Sequence, residues 1–197
     1  MKTIISPINL REDRLPPGQY WTNKLHILSI SDPPKIDLAN YRLHIFGEVE
    51  NEVSLSWEDI QSLEPVKLIA DFHCVTRWSC PDVEWVGFHV NEIKKLTKIK
   101  DTAKAVMIHS LDGYTTNLPI EYFFDEDVIL AYRLFDKPIP EENGYPLRLI
   151  VPKLYSWKSA KHVAGIEFMK ENKPGFWEQR GYHMLGDPWK EQRYWGD

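Results

Sequence analysis

Apolar and polar side chains alternate along several short stretches of this chain, and each such stretch predicts a β-strand. Tyr41-Arg42-Leu43-His44-Ile45-Phe46-Gly47-Glu48-Val49 is one. In the next, Val66, Leu68, Ala70 and Phe72 share one face while Lys67, Ile69, Asp71 and His73 share the other, and this strand delivers the chain to Cys74. Ala105–His109, Val128–Leu134, Leu147–Val151 and Val163–Met169 read as further strands. Helical signals are short. Ser56-Trp57-Glu58-Asp59 matches a capping box opening a helix that ends before Pro65. Asn91 to Leu96 predicts a second helix, and Pro119 suits the first turn of a third. Asp112-Gly113 is a turn signal, and after Asn172 the chain, punctuated by Gly and Pro, reads as mostly irregular.

Residues 1–40 carry Pro7, Pro16-Pro17-Gly18 and Pro33-Pro34, spaced so that no long helix or central strand fits. A disordered arm is one reading. Tyr20, Trp21, Leu25, Ile27, Leu28 and Ile30 supply enough apolar surface for the other, an ordered, extended arm wrapping the core, and this is the reading we take. Many strands and few short helices predict a single β-rich, mixed α+β domain over residues 1–197.

Composition narrows the class. Of 197 residues 43% are apolar and 27% charged, as in a folded protein and unlike a disordered one. The only two cysteines, Cys74 and Cys80, cannot make a disulfide framework, so nothing demands an oxidising compartment. The longest apolar runs, such as Val128-Ile129-Leu130-Ala131-Tyr132, fall far short of the roughly 20 residues that span a bilayer. Met1-Lys2-Thr3-Ile4-Ile5-Ser6-Pro7 stops being apolar too soon for a signal peptide, and the expected location is cytoplasmic. A net charge of −5, with Lys and Arg scattered among acids, argues against nucleic acid or an anionic membrane as partner. No Gly-rich phosphate loop of dinucleotide or P-loop type is present.

Three stretches carry candidate chemistry. In Phe72-His73-Cys74-Val75-Thr76-Arg77-Trp78-Ser79-Cys80-Pro81, Cys74 is either a small buried hydrophobe or, at a strand end with Arg77 nearby, a thiolate able to bind a soft metal. Zinc is disfavoured, because the cysteine spacing is not a knuckle and His73 points to the opposite strand face. In Glu142-Asn143-Gly144-Tyr145-Pro146-Leu147-Arg148-Leu149-Ile150-Val151-Pro152-Lys153, an arginine entering an apolar strand must find an anionic or hydrogen-bonding partner. In Leu154-Tyr155-Ser156-Trp157-Lys158-Ser159-Ala160-Lys161, backbone N–H groups and two ammonium charges either converge on a phosphate or form a solvated loop.

Taken together, these segments resemble the sulfite oxidase family of molybdopterin enzymes, from about Pro16 to Trp195. The strongest blocks are Phe72–Ser79, Asn143–Lys161 and Gly175–Tyr182. The chain is most similar to the small, stand-alone sulfite oxidase-like proteins of bacteria and archaea, marked by Pro16-Pro17-Gly18-Gln19 and Gly113-Tyr114-Thr115-Thr116-Asn117-Leu118-Pro119. The resemblance implies the sulfite oxidase-type fold and molybdopterin as cofactor, with the Cys74 thiolate as the protein's molybdenum ligand. It implies pterin and phosphate contacts at Asn23, Ser110, Asn143, Arg148, Ser159, Ala160 and Lys161, Arg148 and Lys161 supplying the phosphate charges. An active-site tyrosine falls on Tyr182.

The departures bear on substrate. Two arginines that form much of the sulfite-binding charge in sulfite oxidases are replaced by Thr22 and Ser79, with Arg77 left to supply part of that charge. Haem-binding and dimerisation domains are not expected, because little chain follows Tyr182. The expected activity is sulfite oxidase-like two-electron oxygen-atom transfer on a small molecule, with sulfite disfavoured as the native substrate and an external electron carrier. Sulfoxide or N-oxide reduction is the enzymatic alternative, as in periplasmic methionine-sulfoxide reductases, which carry an export signal not seen here. A molybdopterin-binding carrier without turnover is the alternative of another class.

Overall fold

The computed structural model describes residues 1–197, organised by two β-sheets. In chain order the strands are β1 (Lys2–Ile5), β2 (Tyr20–Trp21), β3 (Arg42–Gly47), β4 (Val53–Ser56), β5 (Pro65–His73), β6 (Trp78–His89), β7 (Ala105–Ser110), β8 (Thr115–Pro119), β9 (Ile129–Leu134), β10 (Lys137–Pro138), β11 (Arg148–Ile150) and β12 (Val163–Met169). The helices are α1 (Trp57–Ser62), α2 (Ile93–Leu96) and α3 (Ile120–Phe123). None is long and apolar enough to cross a membrane.

One sheet runs β4-β3-β12-β7-β8. The other runs β1-β5-β6-β9-β10, with β11 also paired to β9 and β2 to β6. Strand alternation assigns the packing. Leu130 and Leu149 face the five-stranded sheet and join Leu43, Ile45, Val106, Ile108, Ile166 and Phe168 in the larger core. Their neighbours Ile129, Ala131 and Ile150 face the other way, into a second cluster with Leu68, Phe72, Cys74, Trp78, Cys80 and Trp85. Each fully buried aliphatic side chain contributes roughly 1.5–3 kcal/mol, so the sandwich needs no staple. The capping box at α1 is present as expected, Ser56 Oγ accepting from Asp59 N and the Asp59 carboxylate accepting from Ser56 N.

The largest departure from the sequence pattern is β6. Pro81, just after Cys80, reads as a place where the chain turns away, yet Cys80 lies inside this twelve-residue strand, opposite Phe72. A bulge accommodates the proline, which has no N–H to give the ladder. The register with β5 shifts between Ala70 and Phe72, leaving Asp71 free to accept from Asp82 N at 2.9 Å. Asp71 in turn takes both forks of Arg14 at 2.6 Å, raising the pKa of that guanidinium and tying the arm to the bulge. The arm contributes two further strands that Pro spacing hid. β1 runs parallel to β5 (Lys2↔Val66), and β2 runs parallel to β6 (Tyr20↔Trp78, Trp21↔Ser79).

Candidate functional site

Strand β5 ends at His73, and a tight turn through Cys74–Arg77 leads into β6. Cys74 N donates to Trp78 O at 2.9 Å, Arg77 N donates to Cys74 O at 3.0 Å, and Arg77 sits at φ 77, in the left-handed region. Alternation separates the neighbours. Phe72 and Cys74 face the second core cluster, while His73 faces the opposite side, its Nδ1 2.8 Å from Ser79 Oγ and its ring against Trp21 and Trp189. Burial pushes the His73 pKa down to about 4, so its ring is neutral at pH 7.

Cys74 opens into a cavity of about 320 Å³. The strand-end turn supplies Cys74, Val75, Thr76 and Trp78; the 143–148 segment supplies Asn143 and Arg148. The loop after β11 gives Ser156, Trp157, Ser159, Ala160 and Lys161; the carboxy-terminal stretch gives Trp177 and Tyr182. The arm lies across the mouth with Leu25, His26, Leu28, Ser29 and Ile30. Thr76 Oγ1 stands 3.1 Å from Cys74 Sγ, within hydrogen-bond reach.

Arg148 is the electrostatic centre. It is 5% exposed, with Nε on Ser159 O at 3.3 Å and Nη1 on Asn143 O at 2.8 Å. Its guanidinium carbon stands 4.9 Å from the Phe72 ring centroid and 5.5 Å from that of Trp85. Two of the five N–H protons are spent on neutral carbonyls and no carboxylate pairs with it. Burial lowers its pKa to about 10, partly offset by the negative charge available at Cys74. Tyr182 is also coupled to that thiol: burial first, then Tyr194 and Cys74, hold its phenol above the ordinary range, so it stays protonated at neutral pH.

Seven of the ten candidate site residues therefore line one cavity: Cys74, Asn143, Arg148, Ser159, Ala160, Lys161 and Tyr182. Three do not. Asn23 is exposed, because β2 holds only Tyr20 and Trp21 before the arm leaves the sheet. Arg77 is also exposed, carried by the left-handed turn toward Gly18, whose Cβ position lies 3.2 Å from Arg77 Nη1. Ser110 ends β7 below the Asp112–Tyr114 turn that lines the cavity, and its Oγ has no partner. Thr22 and Ser79 also lie outside the lining: Ser79 is buried against His73, and Thr22 N donates to Ser79 O at 2.8 Å. An arginine missing at either position therefore leaves no gap in this cavity wall.

The two lysines of the 154–161 loop diverge. Lys158 is fully buried, 2.6 Å from Glu178 Oε1, and also donates to Asn117 and Met184, so it braces the carboxy-terminal segment. Lys161 faces the cavity, but its ammonium donates to Leu28 O at 2.9 Å, Ser29 Oγ at 2.9 Å and Glu142 O at 2.7 Å. Burial, then the charge of Arg148, lowers its pKa to about 8. Sequence reasoning gave no role to the aromatic wall of Trp78, Tyr114, Trp157 and Trp177, although all four fall inside the stretches that carry the resemblance. No three His, Cys, Asp or Glu side chains converge anywhere as a metal cage. A metal at Cys74 has to bring its other ligands with it.

The profile of the oxidoreductase molybdopterin binding domain matches residues 30–177. The uncharacterized oxidoreductase YuiH of Bacillus subtilis (strain 168) is 42% identical over 185 residues, covering 93% of each chain. The protein-methionine-sulfoxide reductase catalytic subunit MsrP of Campylobacter jejuni is 30% identical over 183 residues, 81% of this chain and 59% of that one. Among solved structures, the sulfane dehydrogenase SoxCD of Paracoccus pantotrophus superposes with a TM-score of 0.66 at 19% identity, over 76% of this chain and 42% of its own. The chain thus spans less than two thirds of the reductase subunit and less than half of the dehydrogenase chain, and the last likeness is one of fold.

Proposed function

The chain belongs to the family of oxidoreductase molybdopterin-binding domains, and on that footing we propose that it performs two-electron oxygen-atom transfer on a small, uncharged substrate and exchanges electrons with a separate carrier. It is a molybdenum-cofactor oxidoreductase, and molybdopterin is its cofactor. The observation that supports the chemistry is Arg148. A buried guanidinium with three N–H protons unspent and no carboxylate is a costly arrangement unless an anion completes it. The lone soft donor Cys74 in the same cavity, with no cage of further ligands, fits a metal that arrives on an anionic, sulfur-bearing cofactor.

In this reading Cys74 would hold the metal through its thiolate, and the Thr76 hydroxyl would donate to that sulfur and hold its direction. Arg148 would bind an anionic oxygen of the cofactor, with Asn143 and Ser159 fixing the guanidinium through their carbonyls. Lys161 joins it only by exchanging bonds it now makes to Leu28 and Ser29. When bound, the cofactor supplies the redox change and the oxygen-atom exchange. Tyr182, protonated at neutral pH, donates from its phenolic oxygen to the substrate oxygen. Trp78, Trp157 and Trp177 keep water from the cavity.

An uncharged substrate follows from the remaining lining. Arg148 and Lys161 are the only Lys or Arg side chains in the wall, and both are assigned to the cofactor. What is left for a substrate is mainly aromatic, aliphatic and hydroxyl surface, with His26 and the Asp112 carboxylate, so no fixed cation remains to pair with a dianion such as sulfite. A second reading, sulfoxide reduction, draws on the 30% identity to a methionine-sulfoxide reductase subunit. Protein made in a cofactor-competent host would be assayed for molybdenum and pterin, then screened with sulfite, sulfoxides and N-oxides using artificial electron carriers. Turnover of neutral oxides or their reduced forms, with sulfite poor, is the expected result. Efficient sulfite oxidation at micromolar concentration would overturn the substrate reading, and absence of both molybdenum and pterin would overturn the enzyme.

A further inference from the structure

The two ends of the chain meet at the turn that presents Cys74. Gln19, in the arm, donates Nε2 to Cys74 O at 2.9 Å, and Tyr20 N donates to Arg77 O at 2.9 Å. From the carboxy-terminal segment, Arg193 donates Nη1 to Val75 O at 2.7 Å, its Nη2 3.5 Å from Pro17 O. Arg193 is 7% exposed, with its guanidinium carbon 5.0 Å from the Tyr155 ring centroid and its Nη2 3.7 Å from Glu191 Oε1. Gly18 lies at φ +69, which favours glycine, and a Cβ there would stand 2.8 Å from Glu191 Oε1 and 3.3 Å from Arg193 Nη2, so a side chain would have to push both ends aside.

The same short segment also holds Tyr182. Residue 194 forms a β-bridge with residue 182, His183 N donates to Arg193 O at 3.1 Å, and Trp195 N donates to Gly181 O at 2.9 Å. The Tyr182 and Tyr194 rings meet edge to face at 5.5 Å. Arg193 thus sits beside the residue that packs on Tyr182 while its own side chain grips the Cys74 turn.

We propose that Arg193, assisted by Gln19, is a positioning residue that sets the Cys74 sulfur and the Tyr182 phenol in register with each other. The proposal rests on the roles given above to those two side chains. A metal–thiolate bond and a proton donor act on the same reacting atoms, so their separation has to be held to fractions of an ångström. A two-residue contact between distant segments, one hydrogen bond to the turn and one bridge to the tyrosine, does this without touching substrate or cofactor.

The test uses the loaded full-length protein as Arg193→Ala, Arg193→Lys and Gln19→Leu, with Cys74→Ser as reference. Molybdenum and pterin content, the sulfur-to-metal charge-transfer absorption, the electron paramagnetic resonance of the partly reduced metal, and steady-state kinetics are read on each. Arg193→Ala is expected to load cofactor normally but to show a shifted, heterogeneous resonance, with kcat lowered by one to two orders of magnitude and KM little changed. Arg193→Lys should recover part of both, since its ammonium can still reach Val75 O, and Gln19→Leu should show the spectral change in milder form. Unchanged spectra and kcat in Arg193→Ala, with only a lower melting temperature, would overturn the proposal. So would failure of Arg193→Ala to accumulate combined with wild-type spectra in Gln19→Leu. A charge-transfer spectrum in Cys74→Ser unchanged from the parent protein would instead show that the assignment of Cys74 as ligand is wrong, and the positioning role would fall with it.

Discussion

Replacing Arg148 by Met separates a cation that waits for an anion from one that merely supports the fold. A tenfold change in proton affinity is worth about 1.4 kcal/mol, so the fall of the Arg148 pKa from its ordinary value to about 10 puts the cost of burying this charge at about 3 kcal/mol. The sign is fixed by the direction of the shift. The folded state holds this proton less tightly than the unfolded state, so the penalty is fully present at all pH below about 10 and is relieved only as pH rises beyond it. Methionine removes that cost while filling most of the volume. Against it stand two carbonyls, of Asn143 and Ser159, each losing a hydrogen bond worth about 1 kcal/mol. The cation over Phe72 and Trp85 loses a further 0.5–2 kcal/mol or so. These terms nearly cancel, and Arg148→Met without cofactor is expected to lie within about 1 kcal/mol of the parent protein. Urea unfolding of both proteins, made in a host blocked in cofactor synthesis, measures this. In a competent host the same substitution forfeits charge-assisted bonds worth about 1.5–3 kcal/mol each, so cofactor retention should fall at least about tenfold. A loss of about 3–5 kcal/mol in the cofactor-free protein, the signature of breaking a buried pair, would refute the reasoning.

Cys74→Ser should fold and retain pterin yet lose turnover, whereas Cys80→Ala should keep molybdenum, because Cys80 faces the second core inside β6 and its thiol is pushed up by burial, then by Asp71 and Asp82; equal loss of metal from both would contradict this. His73, held neutral with a pKa of about 4 against 6.5 in its ordinary state, binds fewer protons folded than unfolded across that interval. Stability should therefore decline as pH falls from about 6.5 toward 4, by up to about 3 kcal/mol, and His73→Gln should flatten that slope in pH-dependent urea melts. Lys161→Gln removes the ammonium that grips Leu28 and Ser29, so amide exchange over residues 24–30 should quicken while β5 and β6 stay protected.

Local pattern sufficed for much of the scaffold. Alternation located β3, β5, β7, β9 and β12, and the capping box located α1, because each depends on residues within a few positions of one another. The cofactor family was also readable, since Phe72–Ser79, Asn143–Lys161 and Gly175–Tyr182 keep a fixed order, and the domain profile spans residues 30–177. β6 was hidden because Pro81 is tolerated there only through a bulge that β5 makes with Asp71, a property of the pair and not of either strand. The placement of Asn23 and Arg77 away from the cavity depends on where the short β2 ends and on one left-handed turn residue, and neither is encoded by residue type. Lys158 and Lys161 stand three apart in one loop, yet one is buried on Glu178 and the other faces the cavity. Arg193 carries no motif at all, and its importance arises from Val75, a partner 118 positions away. Contacts of that range follow from how both chain ends fold back onto the β5–β6 turn, so only the tertiary structure decides them, while the sequence alone sets the strands and the chemical kind of site they carry.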